Sequence, residues 1–140
     1  MKKANGFVIQ VENFLPIRFE YYWDDAPQTC AAFETCLPTS MKMFQARVSG
    51  QEFWTDAAPM LDIPQENASV FTKPGEMVIG PKSATRTSTV CCCGIYYGEG
   101  KGLDACNIFA CVVEEDRERL AQLGEAIWKN GQMEVRFTSN

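Results

Sequence analysis

Short segments of β-forming residues, separated by proline, glycine and other turn residues, recur along almost the whole chain. Two segments, 26–37 and 116–130, depart from this pattern, with apolar side chains at the three- and four-residue spacing of a helix. Strands therefore dominate, and most connections between them are short. With about eight strands and two helices, the pattern predicts a mainly β fold, a mostly antiparallel closed barrel with α-helices packed on it.

The predicted strands are bounded by turn residues on both sides. They comprise residues 7–15, 17–23, 41–48, 51–56, 76–79, 87–97, 105–113 and 133–137. In the strand 87–97 we expect Cys91 and Cys93 on one face and Cys92 on the other. Residues 98–102 alternate glycine with charged residues and are predicted to form a flexible loop, and the loop after Pro59 is expected to cover or line a pocket.

Composition restricts the class of protein. The 140 residues are 46% hydrophobic and 22% charged, which predicts one globular domain spanning 1–140. A net charge of −5 argues against nucleic acid as a partner. The longest apolar runs are shorter than the ~20 residues that span a membrane, so no membrane association is expected. No apolar segment of signal-peptide length precedes Glu12, and we expect a cytoplasmic protein.

The chain contains no histidine, which removes Ser-His and Cys-His nucleophile pairs and histidine-ligated metal sites. Its seven cysteines are clustered and odd in number, which is not typical of a disulfide framework. Paired Cys-x-x-Cys spacing is absent, so we expect no metal and no cofactor. Cys30, in the first turns of the predicted first helix, is the best candidate for a reactive thiol.

Residues 44–54 are predicted to form a hairpin whose turn carries a compact polar and aromatic set. Alternation places Gln45, Arg47 and Ser49 on one face of its first strand. The opposite face is expected to enter the core with Phe44, Ala46 and Val48. Across the turn, Glu52 and Trp54 share a face. The hairpin therefore predicts a ligand site formed by Arg47, Ser49, Glu52 and Trp54.

Arg47 is the predicted anchor of this site, because a guanidinium offers fixed donors to a carboxylate, a carbonyl oxygen or an amide nitrogen. The alternative is a cross-strand ion pair with Glu52, and the two roles are compatible. Trp54 has two interpretations as well, since it can stack on a ligand or pack under a loop.

The order of several short motifs resembles a bacterial family of small proteins with a cyclophilin-like fold and no established function. These motifs are Asp25-Ala-Pro-x-Thr-Cys30, Ala46-Arg-x-Ser-Gly50 with Glu52, Glu66-Asn67, Lys73-Pro-Gly-Glu-Met77, Tyr97-Gly98 and Val135-Arg-Phe137. The resemblance covers nearly the whole chain. It implies an eight-stranded barrel closed at its ends by two helices, with a groove on one outer face.

Two segments are similar to the groove motifs of true cyclophilins. Residues 44–47 resemble the Phe-His-Arg motif without its histidine, and residues 107–109 resemble a Gln-Phe-Phe motif. The resemblance implies that Asn107 and Phe109 lie opposite Arg47. If the resemblance does not extend to these segments, Asn107 is a buried polar residue and Phe109 a core phenylalanine. Tyr97, beside the glycine-rich segment, is expected to offer a hydroxyl to the same site.

Three functions fit these observations. The first is binding of a small acidic or amide-bearing ligand, or a short peptide, around Arg47. The second is peptidyl-prolyl isomerisation with Arg47 as the catalytic arginine, which needs no histidine because the arginine can hydrogen-bond the twisted amide. The third is a non-catalytic subunit of a larger complex. Self-association into a homo-oligomer is compatible with each of them.

Overall fold

The computed structural model describes residues 3–85 and 87–140. Within these ranges the chain forms eight strands: β1 Gly6–Gln10, β2 Ile17–Tyr21, β3 Thr39–Gln45, β4 Gly50–Thr55, β5 Ala68–Phe71, β6 Glu76–Ile79, β7 Cys93–Val112 and β8 Gln132–Ser139. The two α-helices are α1 Pro27–Thr35 and α2 Arg117–Asn130. The predicted mainly β fold with two helices is confirmed.

Six of the described strands close a ring in the order β2-β1-β8-β3-β4-β7, and β2 then pairs with β7. All of these neighbours are antiparallel. The remaining two, β5 and β6, lie outside the ring and both pair with β7. The prediction that all eight strands close one barrel is therefore wrong. The reason is the length of β7, whose 20 residues provide enough edge to pair with four other strands.

The segment around β7 differs most from its prediction. Residues 87–89 form a short 3-10 helix, and Cys91 has a φ of 65°, so the strand begins only at Cys93. Cys91 and Cys92 thus do not alternate on a strand as expected. The predicted flexible loop at 98–102 is wrong too, because these residues stay extended through pairing with β4 and β5.

Other predictions differ at the ends of the elements. The predicted strand 7–15 ends at Gln10, because the chain then turns and Phe14 donates to the Val11 carbonyl. The first helix begins and ends within the predicted range 26–37, and the strand 76–79 is confirmed as β6. β5 was not predicted. Within the described residues, no helix has the length and apolar character needed to cross a membrane.

Aromatic side chains fill the interior of the barrel. The ring of Phe7 lies 5.0 Å from that of Phe19 and 5.3 Å from that of Phe33 on α1. Phe33 lies 5.0 Å from Phe109, and all four side chains are fully buried. Helix α2 adds three buried side chains to the same core, Leu120, Leu123 and Ile127. Because side chains occupy the interior, a ligand site has to lie on the outer surface of the barrel.

Asp116 directly precedes α2, and its carboxylate binds β2. It accepts hydrogen bonds from the Arg18 backbone N–H (2.8 Å), Nε (3.0 Å) and Nη2 (3.2 Å). The hydrogen bond from Arg18 lowers the pKa of the Asp116 carboxyl, so the carboxylate form is favoured. This interaction fixes the start of α2 on the barrel wall.

A buried network joins α1 to β7 through the loop at 57–67. The Glu66 carboxylate accepts from the backbone N–H (2.5 Å) and the hydroxyl (2.7 Å) of Thr29 in the first turn of α1. The Asn107 amide donates to the Thr29 hydroxyl (3.0 Å) and the Pro64 carbonyl (3.1 Å), and accepts from the Glu66 N–H (3.1 Å). The network holds this loop against the helix.

The network predicts that Asn107→Ala destabilises the protein by about 2 kcal/mol or more, because it removes the three hydrogen bonds of a fully buried side chain. The measurement is the free energy of unfolding in urea. Asn130→Ala is the control, since the Asn130 amide makes one exposed hydrogen bond, to the Ala126 carbonyl. Equal stability of the two variants would contradict the structural role of Asn107.

Candidate functional site

A cavity of about 920 Å³ opens on the outer face of the barrel, between the loop at 46–49, β4 and β7. Along β4, Phe53 is fully buried in the core, whereas its neighbours Glu52 and Trp54 line the cavity. On β7, Ile95 faces the core and Tyr96 lines the cavity. Strand alternation thus separates the packed interior from the candidate site.

The cavity brings together four of the seven predicted site residues. Arg47 and Ser49 come from the loop after β3, and Glu52 and Trp54 come from β4. Gly50 has a φ of 93°, and a β-carbon there would lie 2.6 Å from the Glu99 carbonyl oxygen. Glycine therefore permits the sharp turn that places the four side chains around one space.

Two aromatic side chains form one wall of the cavity, Trp54, which was predicted at the site, and Phe44, which was not. Met41 and Met43 are the buried residues of β3, so Phe44 points outward and is 40% exposed. It lies directly opposite Trp54 in the β3–β4 pairing, and both line the cavity. The expectation that Phe44 and Val48 enter the core is wrong, because Phe44 is on the outward face of β3 and Val48 lies in the loop beyond the end of β3 at Gln45. Val48 is 70% exposed.

The polar end of the cavity is centred on the Glu52 carboxyl, which is only 8% exposed. The Ser49 hydroxyl donates to its Oε1 at 2.5 Å, and the Tyr96 side chain is a second hydrogen-bonding partner. Gly94 on the paired strand makes room for the carboxyl, since a β-carbon there would lie 1.9 Å from Glu52 Oε2. The sequence thus shapes this position for a buried acidic group.

Burial raises the pKa of the Glu52 carboxyl from an ordinary value near 4.5 to about 7, and the hydrogen bonds from Ser49 and Tyr96 offset part of this effect. Among the residues that the structure describes, no ion pair joins Arg47 to Glu52. The predicted cross-strand pair is therefore wrong. The Arg47 side chain is exposed and lines the cavity, and its guanidinium forms no ion pair with the described carboxylate of this hairpin.

Three thiols and a phenol surround Glu52, and none of them supplies a positive charge. Burial raises the pKa of Cys92 and Cys93, and it raises that of Cys106 to about 12. Burial likewise raises the pKa of the Tyr96 hydroxyl. These groups stay protonated and neutral near pH 7, so among them Glu52 alone exchanges its proton near neutrality.

Thr72 provides another polar group in the cavity lining. Its Oγ1 is buried and has no partner at hydrogen-bonding distance among the described residues, although the Tyr96 side chain is close to it. A buried hydroxyl without a hydrogen bond is unfavourable. A ligand with a polar atom at this end of the cavity would satisfy it.

Asn107 and Phe109 do not reach this cavity. Asn107 belongs to the Thr29–Glu66 network, and Phe109 is a core residue. They are thus a buried polar residue and a core phenylalanine, not the groove residues that the resemblance implied. Of the predicted loop after Pro59, which spans residues 60–69, Ser69 lines the cavity, and it does so from β5. The resemblance implied that Asn107 and Phe109 lie opposite Arg47, and the structure does not place them there.

Tyr97 lines a second, shallower space between β4 and α2. Its hydroxyl donates to Gln45 Oε1 at 2.6 Å, and its ring stacks on Phe53. Adjacent strand residues point to opposite faces, so Tyr96 lies at the main cavity and Tyr97 does not. The sequence contains no signal that distinguishes the two tyrosines. Phe44 was detectable, since Met41 and Met43 indicate the core phase of β3.

Cys30 is not activated. Its side chain is fully buried and donates to the Phe109 carbonyl at 3.4 Å. Burial raises its pKa to about 12, so the thiolate form is disfavoured, contrary to what its position in α1 suggested. In the described part of the chain, no group of three or more acidic or cysteine side chains is placed to hold a metal ion.

The cavity therefore combines three chemical features. An exposed guanidinium provides paired donors, an aromatic wall provides apolar contact, and a buried carboxyl provides a group that gains or loses a proton near pH 7. Such a set can bind a ligand with an apolar body and polar ends.

The fold is that of the cyclophilin-like proteins. The chain superposes on a cyclophilin-type peptidyl-prolyl cis-trans isomerase from Cryptosporidium parvum, solved in the presence of the dipeptide Ala-Pro, with a TM-score of 0.62, 12% identity and coverage of 96% of this chain and 98% of that one. The hypothetical protein AF2241 from Archaeoglobus fulgidus is similar, with a TM-score of 0.62, 14% identity and coverage of 99% and 98%. These likenesses show the fold alone.

McbB, solved in complex with tryptophan, is a third structural neighbour, with a TM-score of 0.71 and 16% identity over 94% of this chain. This chain spans only 44% of the length of McbB. No curated protein matches the sequence. Residues 12–139 match the family described as "Protein of unknown function (DUF3830)", and the chain belongs to that family.

The site predicts a stability difference between wild type and Glu52→Gln that depends on pH. Because the pKa of Glu52 is raised on folding, wild type loses stability as pH rises from about 4.5 to 7 and then stays level. Each pKa unit corresponds to about 1.4 kcal/mol, so this loss amounts to about 3 kcal/mol. Glutamine keeps an acceptor for Ser49 but never ionises, so the variant avoids the loss.

The measurement is the free energy of unfolding of both proteins at pH 5 and pH 8. The advantage of Glu52→Gln is expected to be larger at pH 8. Glu99→Gln, which changes an exposed carboxylate of the same sheet, is the control and should show no such increase. A difference between Glu52→Gln and wild type that is the same at both pH values would contradict the prediction.

Proposed function

We propose that this protein binds a small ligand with an acidic or amide group in the outer-face cavity, with Arg47 as the anchor. The observation that carries the proposal is the convergence of Arg47, Glu52 and the Phe44–Trp54 wall on one cavity of about 920 Å³. This volume is in the range that binds small organic molecules, and a few polar groups in a mostly apolar lining are typical of such sites.

Arg47 supports an acidic or amide-bearing ligand because its charge is not neutralised by Glu52. A guanidinium binds a carboxylate through two parallel hydrogen bonds, and a carbonyl oxygen through one. Arg47 is exposed and lines the same cavity as Phe44 and Trp54, so a ligand that it anchors can place an apolar part against these two rings. A ligand in this position removes apolar side-chain surface from water, which favours binding.

The complex of McbB with tryptophan suggests suitable probes without showing what this protein binds. Phenylpropionate and indolepropionate each carry one aromatic ring and one carboxylate. Phenylpropionamide has the same body with an amide in place of the acid. Together these compounds test the aromatic wall and the guanidinium separately.

Arg47→Ala is expected to weaken binding of phenylpropionate and indolepropionate by tenfold or more, because a charge-assisted hydrogen bond contributes about 1.5–3 kcal/mol. Isothermal titration calorimetry gives the dissociation constants, and ligand-induced thermal shifts give an independent readout. Arg136→Ala, which removes an exposed arginine from β8 outside the cavity, is the matched control. Equal affinity of the Arg47 variant and wild type would refute Arg47 as the anchor.

Prolyl isomerisation is the second candidate, because the fold is shared with a cyclophilin-type isomerase. The geometry favours it less than binding. Asn107 is held by Thr29 and Pro64, and Phe109 is in the core, so neither faces Arg47. We therefore expect the protein, even at high concentration, not to accelerate the cis-trans isomerisation of a proline-containing peptide in a protease-coupled assay. A rate above background that Arg47→Ala abolishes would support the isomerase instead.

A further inference from the structure

We propose that Glu52, Ser49 and Tyr96 form a subsite for a protonated amine, so that the ligand is an amine-bearing carboxylic acid with an apolar side chain. This inference rests on the proposed function, and it specifies the chemical class of a ligand that meets both Arg47 and Glu52 in the same cavity. An amino acid belongs to this class, since Glu52 would bind its ammonium group and Arg47 its carboxylate group.

The first step of the argument is the absence of a cation at Glu52. The groups that face this carboxyl are the Ser49 hydroxyl from the loop at 46–49, the Tyr96 phenol and the thiols of Cys93 and Cys106 from β7, and the Cys92 thiol before β7. All of these are neutral near pH 7, and the described part of the chain forms no ion pair with Glu52. None of the described residues supplies a positive charge at this carboxyl, and a ligand can supply one.

The second step is access. Glu52 is 8% exposed, yet it lines the same cavity as Arg47, Phe44 and Trp54, so a ligand can reach it. Ser49 donates to Oε1 and Tyr96 is a second hydrogen-bonding partner, while a carboxylate has about four acceptor positions, so it retains lone pairs for an incoming donor. A compact ammonium offers three rotatable donors to these lone pairs.

The third step is the sign of the proton linkage. Burial raises the pKa of free Glu52 to about 7, so the carboxyl is mostly protonated at pH 6. An ammonium ligand favours the carboxylate, so its binding releases one proton at that pH. Affinity should then increase close to tenfold for each pH unit between 5 and 6, and level off above pH 7. The affinity of a ligand without an amine should not increase when Glu52 ionises.

The test compares two amino acids with their deaminated analogues on the intact protein. L-phenylalanine is paired with phenylpropionate, and L-tryptophan with indolepropionate. Calorimetry at pH 5, 6, 7 and 8, in two buffers of different ionisation enthalpy, gives the dissociation constants and the number of protons released. The expected result is that at least one amino acid binds wild type tenfold or more tightly than its analogue at pH 8, with proton release at pH 6.

Glu52→Gln distinguishes recognition of the amine from a general effect on the fold. The variant should bind the amino acid and its analogue within about threefold of each other, and both the proton release and the pH dependence should disappear. Glu99→Gln is the control, and its preference for the amino acid over the deaminated analogue should equal that of wild type. If Glu52→Gln keeps the preference, the subsite is refuted.

Two further outcomes separate this inference from the proposed function. If the analogues bind with dependence on Arg47 but the amino acids bind no more tightly, the cavity binds simple acids and the amine subsite is refuted alone. If neither the amino acids nor the analogues bind wild type at millimolar concentration, the proposed function fails and this inference fails with it.

Discussion

The backbone pairing of β7 is the interaction on which the rest of the structure depends. This strand of 20 residues pairs with β2 to close the barrel, with β4 to form one wall of the cavity, and with β5 and β6 outside the ring. Its side chains alternate between two environments. Ile95 and Phe109 fill the core, while Tyr96 and Cys106 line the cavity. One strand thus fixes both the interior and the candidate site, and the register of its pairing decides which residues belong to each.

Much of this fold could be predicted from the sequence, because local patterns determine most of its elements. The 3.6-residue period identified both helices, and proline and glycine marked the ends of most strands. The predictions failed where long-range pairing overrides local preference. The glycines at 98–102 indicate a loop locally, but they are extended because β4 and β5 supply hydrogen bonds from distant parts of the chain. The same cause explains why β5, with only four residues, was missed.

The candidate site was predictable to the extent that it belongs to one hairpin. Arg47, Ser49, Glu52 and Trp54 are close in sequence, and alternation with a tight turn is enough to bring them together. Tyr96, Gly94 and Cys106 come from another strand. The register between β4 and β7 places Tyr96 opposite Glu52 and Gly94 opposite Trp54, and Cys106 pairs with β5. Neither the burial of Glu52 nor the exposure of Arg47 could be predicted, since both depend on the packing of that second strand.

Glu52 also shows how binding and stability are coupled in this cavity. A glutamine would accept the same hydrogen bond from Ser49 without the unfavourable free energy of a buried charge. A carboxyl at this position instead destabilises the free protein above pH 7, because its desolvation is not offset by a cation of the described residues. A bound ammonium of the proposed ligand would supply that cation, so part of the destabilisation would be relieved in the complex. The energetic effect of Glu52 would then depend on occupancy, and selectivity for amines would be gained at the expense of stability in the free protein.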